Sequence, residues 1–216
     1  MPTVVPCVTA TTPDEYKASL ERVYAFTTHI HVDVSDGSFA PTALLGVDQI
    51  WWPQDWTADV HVMAAEPSQY IDRLISKRPH MITLHAEAKE DIVPLLQRIK
   101  QYDIRAGVSL MRSTVPSTVV GLLGIADHVM IFSGDLGKYG GTASLMQLEK
   151  IRLIKNINNG IEIGWDGGIN IDNIFSLVQG GVEVLNVGGA IQNNDDAPAA
   201  YRALVAEVTK QGVAWS

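Results

Sequence analysis

The run Ile30-His31-Val32-Asp33-Val34 places two ionisable residues two apart inside a β-branched segment. A strand turns successive side chains to opposite faces, so His31 and Asp33 would share one. Similar apolar runs occur at Val4 to Val8, Val60 to Met63, Met81 to Leu84, Ala106 to Leu110, Val129 to Phe132, Ile161 to Trp165 and Val184 to Val187. Between them, apolar residues fall at helical spacing in Pro13 to Phe26, Ser68 to Lys77, Glu90 to Tyr102, Pro116 to Gly124, Ser144 to Asn158, Ile171 to Gln179 and Ala197 to Lys210. Pro41 to Trp56 fits least well and reads as a long loop with a short helix around Val47 to Trp52. Alternating strands and helices pair in parallel through right-handed crossovers. Eight such units predict a single (β/α)8 TIM barrel, an α/β fold over residues 1–216. The competing fold is an open doubly wound sheet, but the first turn, Thr9 to Thr12, lacks the G-x-G-x-x-G of dinucleotide sites. The tail from Gln211 to Ser216 reads as a frayed end, or as a segment docked through Trp215.

Composition narrows the function. The chain has 216 residues, a net charge of -8, 46% hydrophobic and 19% charged residues, which fits a globular protein able to bury its own core. Its single cysteine, Cys7, can form no internal disulfide, which fits a cytoplasmic setting. No apolar run approaches the roughly 18 residues of a membrane span, and no Lys/Arg cluster offers a nucleic-acid footprint. Small-molecule chemistry is the expectation, with neither nucleic acid nor membrane as partner.

Barrel function sits at the carboxyl ends of the strands. His31 and Asp33 would enter the mouth together, His61 follows on the next strand in Asp59-Val60-His61-Val62-Met63, and Asp166 ends the seventh. Each alone would read as a hydrogen-bonded polar residue. Inward-facing ionisable groups lose hydration, however, and a metal offsets that loss. Two imidazoles with two carboxylates suit one divalent transition metal: Zn, Fe, Mn or Co. His29 lies a step back along its strand and reads as a satisfied core histidine. His85 either lines the pocket or caps a loop. Asp36-Gly37 is turn chemistry, and Trp51, Trp52 and Trp56 read as packing. Three glycine pairs follow the last three strands: Gly140-Gly141, Gly167-Gly168 and Gly188-Gly189. Their backbone N–H groups are open to a phosphate, which barrels often bind there.

These segments resemble the ribulose-phosphate 3-epimerase family. His31-Val32-Asp33-Val34-Ser35-Asp36-Gly37-Ser38-Phe39-Ala40-Pro41 is similar to its H-V-D-V-M-D-G-H-F-V-P. Asp59 to Met63 is similar to D-x-H-L-M, Ile82 to Ala88 to I-T-x-H-x-E-A, Trp165 to Ile169 to V-D-G-G-V, and Val187 to Ile191 to a G-S-A-I segment. The resemblance implies His31, Asp33, His61 and Asp166 as metal ligands, with Asp33 and Asp166 doubling as the acid/base pair. It implies that Met63, His85 and the glycine pairs meet a phosphorylated ketose, ribulose 5-phosphate first, and that the protein is a homo-oligomer. Ala10 replaces a family serine and Ser35 a methionine. Gly134 to Thr142 is one residue longer than V-N-P-G-F-G-G-Q and carries Lys138, and a methionine before that loop becomes Phe132 or Ser133. Those departures leave room for a related substrate such as allulose 6-phosphate, or for a non-catalytic sugar-phosphate binder. A phosphate-binding barrel lyase or decarboxylase using the same glycine loops is a further alternative; one forming a Schiff base would need a lysine on an inner strand position, and the eight runs contain none.

Overall fold

The structure, a computed structural model, describes residues 1–210; the proposed docking of Trp215 lies outside them. Its strands are β1 (Thr3–Val8), β2 (His29–Ser35), β3 (Thr57–Met63), β4 (Met81–His85), β5 (Arg105–Leu110), β6 (His128–Phe132), β7 (Glu162–Asp166) and β8 (Val184–Val187). All pair in parallel and in chain order, and β8 closes on β1. The helices are α1 (Pro13–Val23), α2 (Ser68–Ser76), α3 (Val93–Lys100), α4 (Val120–Ile125), α5 (Glu149–Ile157), α6 (Ile174–Gln179), α7 (Gly189–Gln192) and α8 (Ala197–Val208). Among the described residues no helix is long and apolar enough to cross a membrane.

Local chemistry sets these boundaries. At the start of α1, the Thr12 side chain accepts from Glu15 N and Glu15 reaches back to Thr12 N, while Pro13 supplies a preset first turn. Helix α8 begins the same way, with Asp196 accepting from Ala199 N.

Period two divides the strands into two faces. Val4, Val8, Ile30, Val32, Val34, Val60, Val62, Val129, Ile131 and Trp165 join the helices in one apolar layer. Each fully buried aliphatic or aromatic side chain there contributes about 1.5–3 kcal/mol. The alternate positions face the barrel axis, and many are polar yet buried: His31, Asp33, Asp59, His61, Thr83, His85, Asp166 and Asn186. A chain that keeps so many ionisable groups in its centre must use them, because unpaired polar burial is destabilising.

Between Pro41 and Trp56 the structure corrects the expectation: no helix forms around Val47 to Trp52. One turn closes from Gln49 N to Gly46 O, after which the backbone carbonyls serve tertiary partners. Ile50 O accepts from Lys77 Nζ and Trp51 O from Tyr16 Oη, and Pro53 then denies a helical donor. Two expected helices are also shortened by 3₁₀ turns, Pro116–Thr118 before α4 and Leu145–Leu148 before α5. The four-residue α7 after β8 was not expected.

Candidate active site and metal centre

Strand register brings the polar residues together at the carboxyl end. Asp33 on β2 sits directly opposite His61 on β3, and Asp166 ends β7 across the mouth. One ligand atom each from His31, Asp33, His61 and Asp166 lies within 4.8 Å of the others. His61 Nδ1 is 3.0 Å from Asp33 Oδ1 and 3.8 Å from Asp166 Oδ2; His31 Nε2 is 3.3 Å and 3.7 Å from the same two oxygens. His31 is 1% exposed, yet neither ring nitrogen has a hydrogen-bond partner. Buried ring nitrogens are ordinarily satisfied, so this orphaned pair is what a metal ligand would leave behind. The two-imidazole, two-carboxylate donor set fits a divalent transition metal and these four residues could hold it.

The two carboxylates are driven apart electrically. Burial and the charge of Asp33 push Asp166 up to about 7. Asp33 is equally buried, but the facing imidazole of His31, the largest opposing influence, holds it below the usual carboxylate range. Burial lowers His61 to about 4, so its imidazole is neutral near pH 7. His31 moves the other way: burial opposes its charge, but Asp33 and Asp166 outweigh that and raise it. One carboxylate able to carry a proton beside one that is ionised is an acid/base arrangement.

Asp33 and Asp166 open into a cavity of about 340 Å³. Its walls include Asp33, Asp166 and Met63, together with all three glycine pairs and Lys138. His85 lies elsewhere: it is buried behind His61, with Nε2 2.8 Å from His61 Nε2 and Nδ1 3.2 Å from Glu87 Oε2. His29 has a partner of its own, Asp59 Oδ2 at 2.7 Å, and stays apart from the four-residue set. Of the departures from the family pattern, Ala10 packs in the apolar layer and Ser35 accepts from Gly37 N. Neither lines the cavity, whereas the Gly134 to Thr142 loop contributes much of its wall.

Cys7, Thr9, Asn170, Asn186 and Asn193 line the wall and escaped the sequence reading, and Tyr139 was noted only as part of the Gly134 to Thr142 loop. Thr9 Oγ1 donates to Asp33 Oδ2, and Tyr139 Oη accepts from Thr9 N at 2.7 Å. Asn186 donates Nδ2 to Met130 Sδ, and its buried Oδ1 has no partner. Thr9 carried a usable signal, being the first polar side chain past β1. The Gly167-Gly168 pair has a structural reason beyond ligand access. Both have positive φ, and a Cβ on Gly167 would come within 2.0 Å of Gly134 N, so a residue with a side chain there would push the loops after β6 and β7 apart.

Residues 3–192 match the family described as Ribulose-phosphate 3 epimerase family. A ribulose-phosphate 3-epimerase of Aquifex aeolicus is 31% identical over 182 residues, covering 81% of this chain and 82% of that protein. A chloroplastic ribulose-5-phosphate-3-epimerase of Arabidopsis thaliana is 30% identical, covering 86% and 69%. Among solved structures, a crystal structure of KGPDC from Streptococcus mutans superposes with a TM-score of 0.72 at 14% identity, covering 96% of this chain and 97% of that one. 3-Hexulose-6-phosphate synthase from Salmonella typhimurium gives 0.68 at 16%, covering 95% and 97%. The last two share the barrel.

Proposed function

The chain belongs to the ribulose-phosphate 3-epimerase family of carbohydrate epimerases, and on that premise we propose that its barrel mouth inverts the C3 centre of a ketose phosphate, with ribulose 5-phosphate and xylulose 5-phosphate as the pair. The observation that carries the reading is Asp33 on β2 and Asp166 at the end of β7 lining one cavity, each within reach of His31 and His61.

A hydrogen on the carbon beside a ketone is weakly acidic. An ionised carboxylate on one side removes it as a proton, and the electron pair left behind moves into the carbonyl to give an enediolate. A protonated carboxyl on the opposite side then returns a proton to the other face, inverting the centre. Asp33 and Asp166 take these roles and exchange them in the reverse direction, as microscopic reversibility requires. His31, Asp33, His61 and Asp166 would hold the divalent metal, whose chemistry when bound is to offset negative charge building on the substrate oxygens. Thr9 fixes the Asp33 carboxylate through its second oxygen. Backbone N–H groups at Gly140-Gly141 and Gly188-Gly189 suit the phosphate, with Lys138 on the same wall adding charge, whereas Gly168 N already donates to Gly140 O and the Gly167-Gly168 pair serves chiefly to let the two loops approach.

The test is to incubate ribulose 5-phosphate with the protein in deuterium oxide and follow C3 by NMR. Deuterium at C3 with xylulose 5-phosphate appearing is the expected result. Neither exchange nor epimer, for this or a six-carbon ketose phosphate, would overturn the reading.

A further inference from the structure

Behind His61 the barrel interior holds a chain of hydrogen-bonding atoms with one proton too few, and from that count we infer that Glu87 and His85 are positioning residues that turn His61 Nδ1 into a metal-binding lone pair. The inference rests on the metal reading of the preceding subsection and adds two residues to it.

The chain has three contacts. Asp33 Oδ1 lies 3.0 Å from His61 Nδ1, His61 Nε2 lies 2.8 Å from His85 Nε2, and His85 Nδ1 lies 3.2 Å from Glu87 Oε2. Every atom in it is a ring nitrogen or a carboxylate oxygen, so each contact needs one hydrogen. Two neutral imidazoles bring two. A third would make an imidazolium inside a ring pair that is 0% and 1% exposed, where charge loses its hydration. A cation at one end repairs the deficit instead.

Which end is decided by Glu87. Its Oε1 already accepts from Met111 N at 2.9 Å and from Thr114 Oγ1, so the carboxylate is pinned and Oε2 faces His85. A carboxylate only accepts, so His85 Nδ1 must carry hydrogen and His85 Nε2 must accept. His61 Nε2 then donates, which leaves the lone pair on Nδ1, beside Asp33 and Asp166. The missing proton therefore falls at the Asp33 end, where His31 also presents two unpartnered nitrogens. Metal-binding histidines are commonly oriented by an acceptor on the far nitrogen; here a second histidine relays that acceptor from a carboxylate.

Glu87→Gln tests the count, because the change is isosteric. The amide oxygen can keep Met111 N and Thr114, while the amide NH₂ now donates to His85 Nδ1. Both imidazoles reverse, His61 Nδ1 gains the hydrogen, and all three contacts are satisfied without a cation. Chelator-stripped parent and variant are titrated with Zn²⁺ against a competing chelator, and ¹⁵N NMR reads which His61 nitrogen is protonated. We expect Zn²⁺ affinity to drop about 10- to 100-fold, the protonated nitrogen to move from Nε2 to Nδ1, and the metal-free variant to melt no lower than the metal-free parent. A residue needed only for packing would lower the melting point and leave the tautomer alone. Affinity within about threefold of the parent, or an unchanged tautomer, overturns the inference. If the parent itself takes up no Zn²⁺, the metal reading fails, and the tautomer comparison still decides the positioning role. Glu87→Ala, read for loss of the Nε2 preference, replaces the glutamine variant if that one does not fold.

Discussion

Thr9 Oγ1 donates to Asp33 Oδ2 across 2.5 Å, tying the loop after β1 to the carboxylate on β2. The other oxygen of Asp33 faces His61, so the threonine sets the rotation of the whole group. Thr9→Val keeps the shape and removes the donor. A hydrogen bond to a charged group is worth about 1.5–3 kcal/mol, so kcat/KM should fall roughly 10- to 100-fold, with Thr9→Ser recovering most of it. Steady-state kinetics on the three proteins check this, and a Thr9→Val enzyme as fast as the parent removes Thr9 from the site.

Asp166→Asn separates proton transfer from folding. The parent buries this carboxyl beside Asp33, which is why it is raised to about 7. A neutral amide relieves that repulsion, so cooperative unfolding should persist at an equal or higher midpoint. Turnover should drop by at least about 10²-fold, since the amide cannot shuttle a proton. Activity within about tenfold of the parent would leave Asp166 without an acid/base role.

Much of this was legible before the structure, for a physical reason. Period two put His31 and Asp33 on one face, and strand ends placed His61 and Asp166 at the same pole, so the four-residue set followed from local pattern. What escaped depends on long-range approach. Tyr139 reaches Thr9 across 130 positions of sequence, and no local signal marks that contact. His85 was legible as a strand-end histidine, but its role depends on the side of His61 on which it falls. The absent helix around Val47 to Trp52 fails similarly, its carbonyls taken by Lys77 and Tyr16.

Metal uptake should depend on His61 more than on any outer residue. His61→Ala deletes one of four convergent donors, and the loss should exceed the 10- to 100-fold typical of residues that only support a ligand. Elemental analysis of parent and variant purified side by side measures it. Equal metal content in both would take His61 out of the ligand set.

At the opposite pole, Glu162 gives the fold a pH dependence independent of the active site. Its Oε2 accepts from His128 Nδ1 and from Arg105 Nη2, each at 2.8 Å. Burial works against its ionisation, but those two partners outweigh it and hold the carboxyl at about 2, down from 4.5. A depressed carboxylate stabilises the fold above its unfolded value, and that contribution is lost as pH falls through the folded one. Parent and Glu162→Gln should therefore differ most in urea midpoint above pH 4.5, and the gap should close between 4.5 and about 2. A gap that stays constant across that window would mean that Glu162 is not held ionised by the fold.

The phosphate is the part of the substrate for which the cavity argues most through backbone. The loops after β6, β7 and β8 bring three glycine pairs to one wall, and Gly140 keeps open space where a Cβ would stand. Gly167 behaves differently, since its neighbour Gly134 already demands glycine, so that pair alone would be weak support. Lys138 sits on the same wall in the loop that departs from the family pattern, whereas Ala10 and Ser35 lie away from it. Substrate preference should accordingly track this loop. Ribulose 5-phosphate should be turned over with a kcat/KM well above that of unphosphorylated ribulose, and Lys138→Ala should raise KM for the phosphate with little change in kcat. Removing one charge-assisted contact predicts about a 10-fold rise, from roughly 1.5 kcal/mol. Allulose 6-phosphate, one carbon longer, measures how much room the loop adds. If the unphosphorylated sugar is epimerised as well as either phosphate, the glycine loops are turns only.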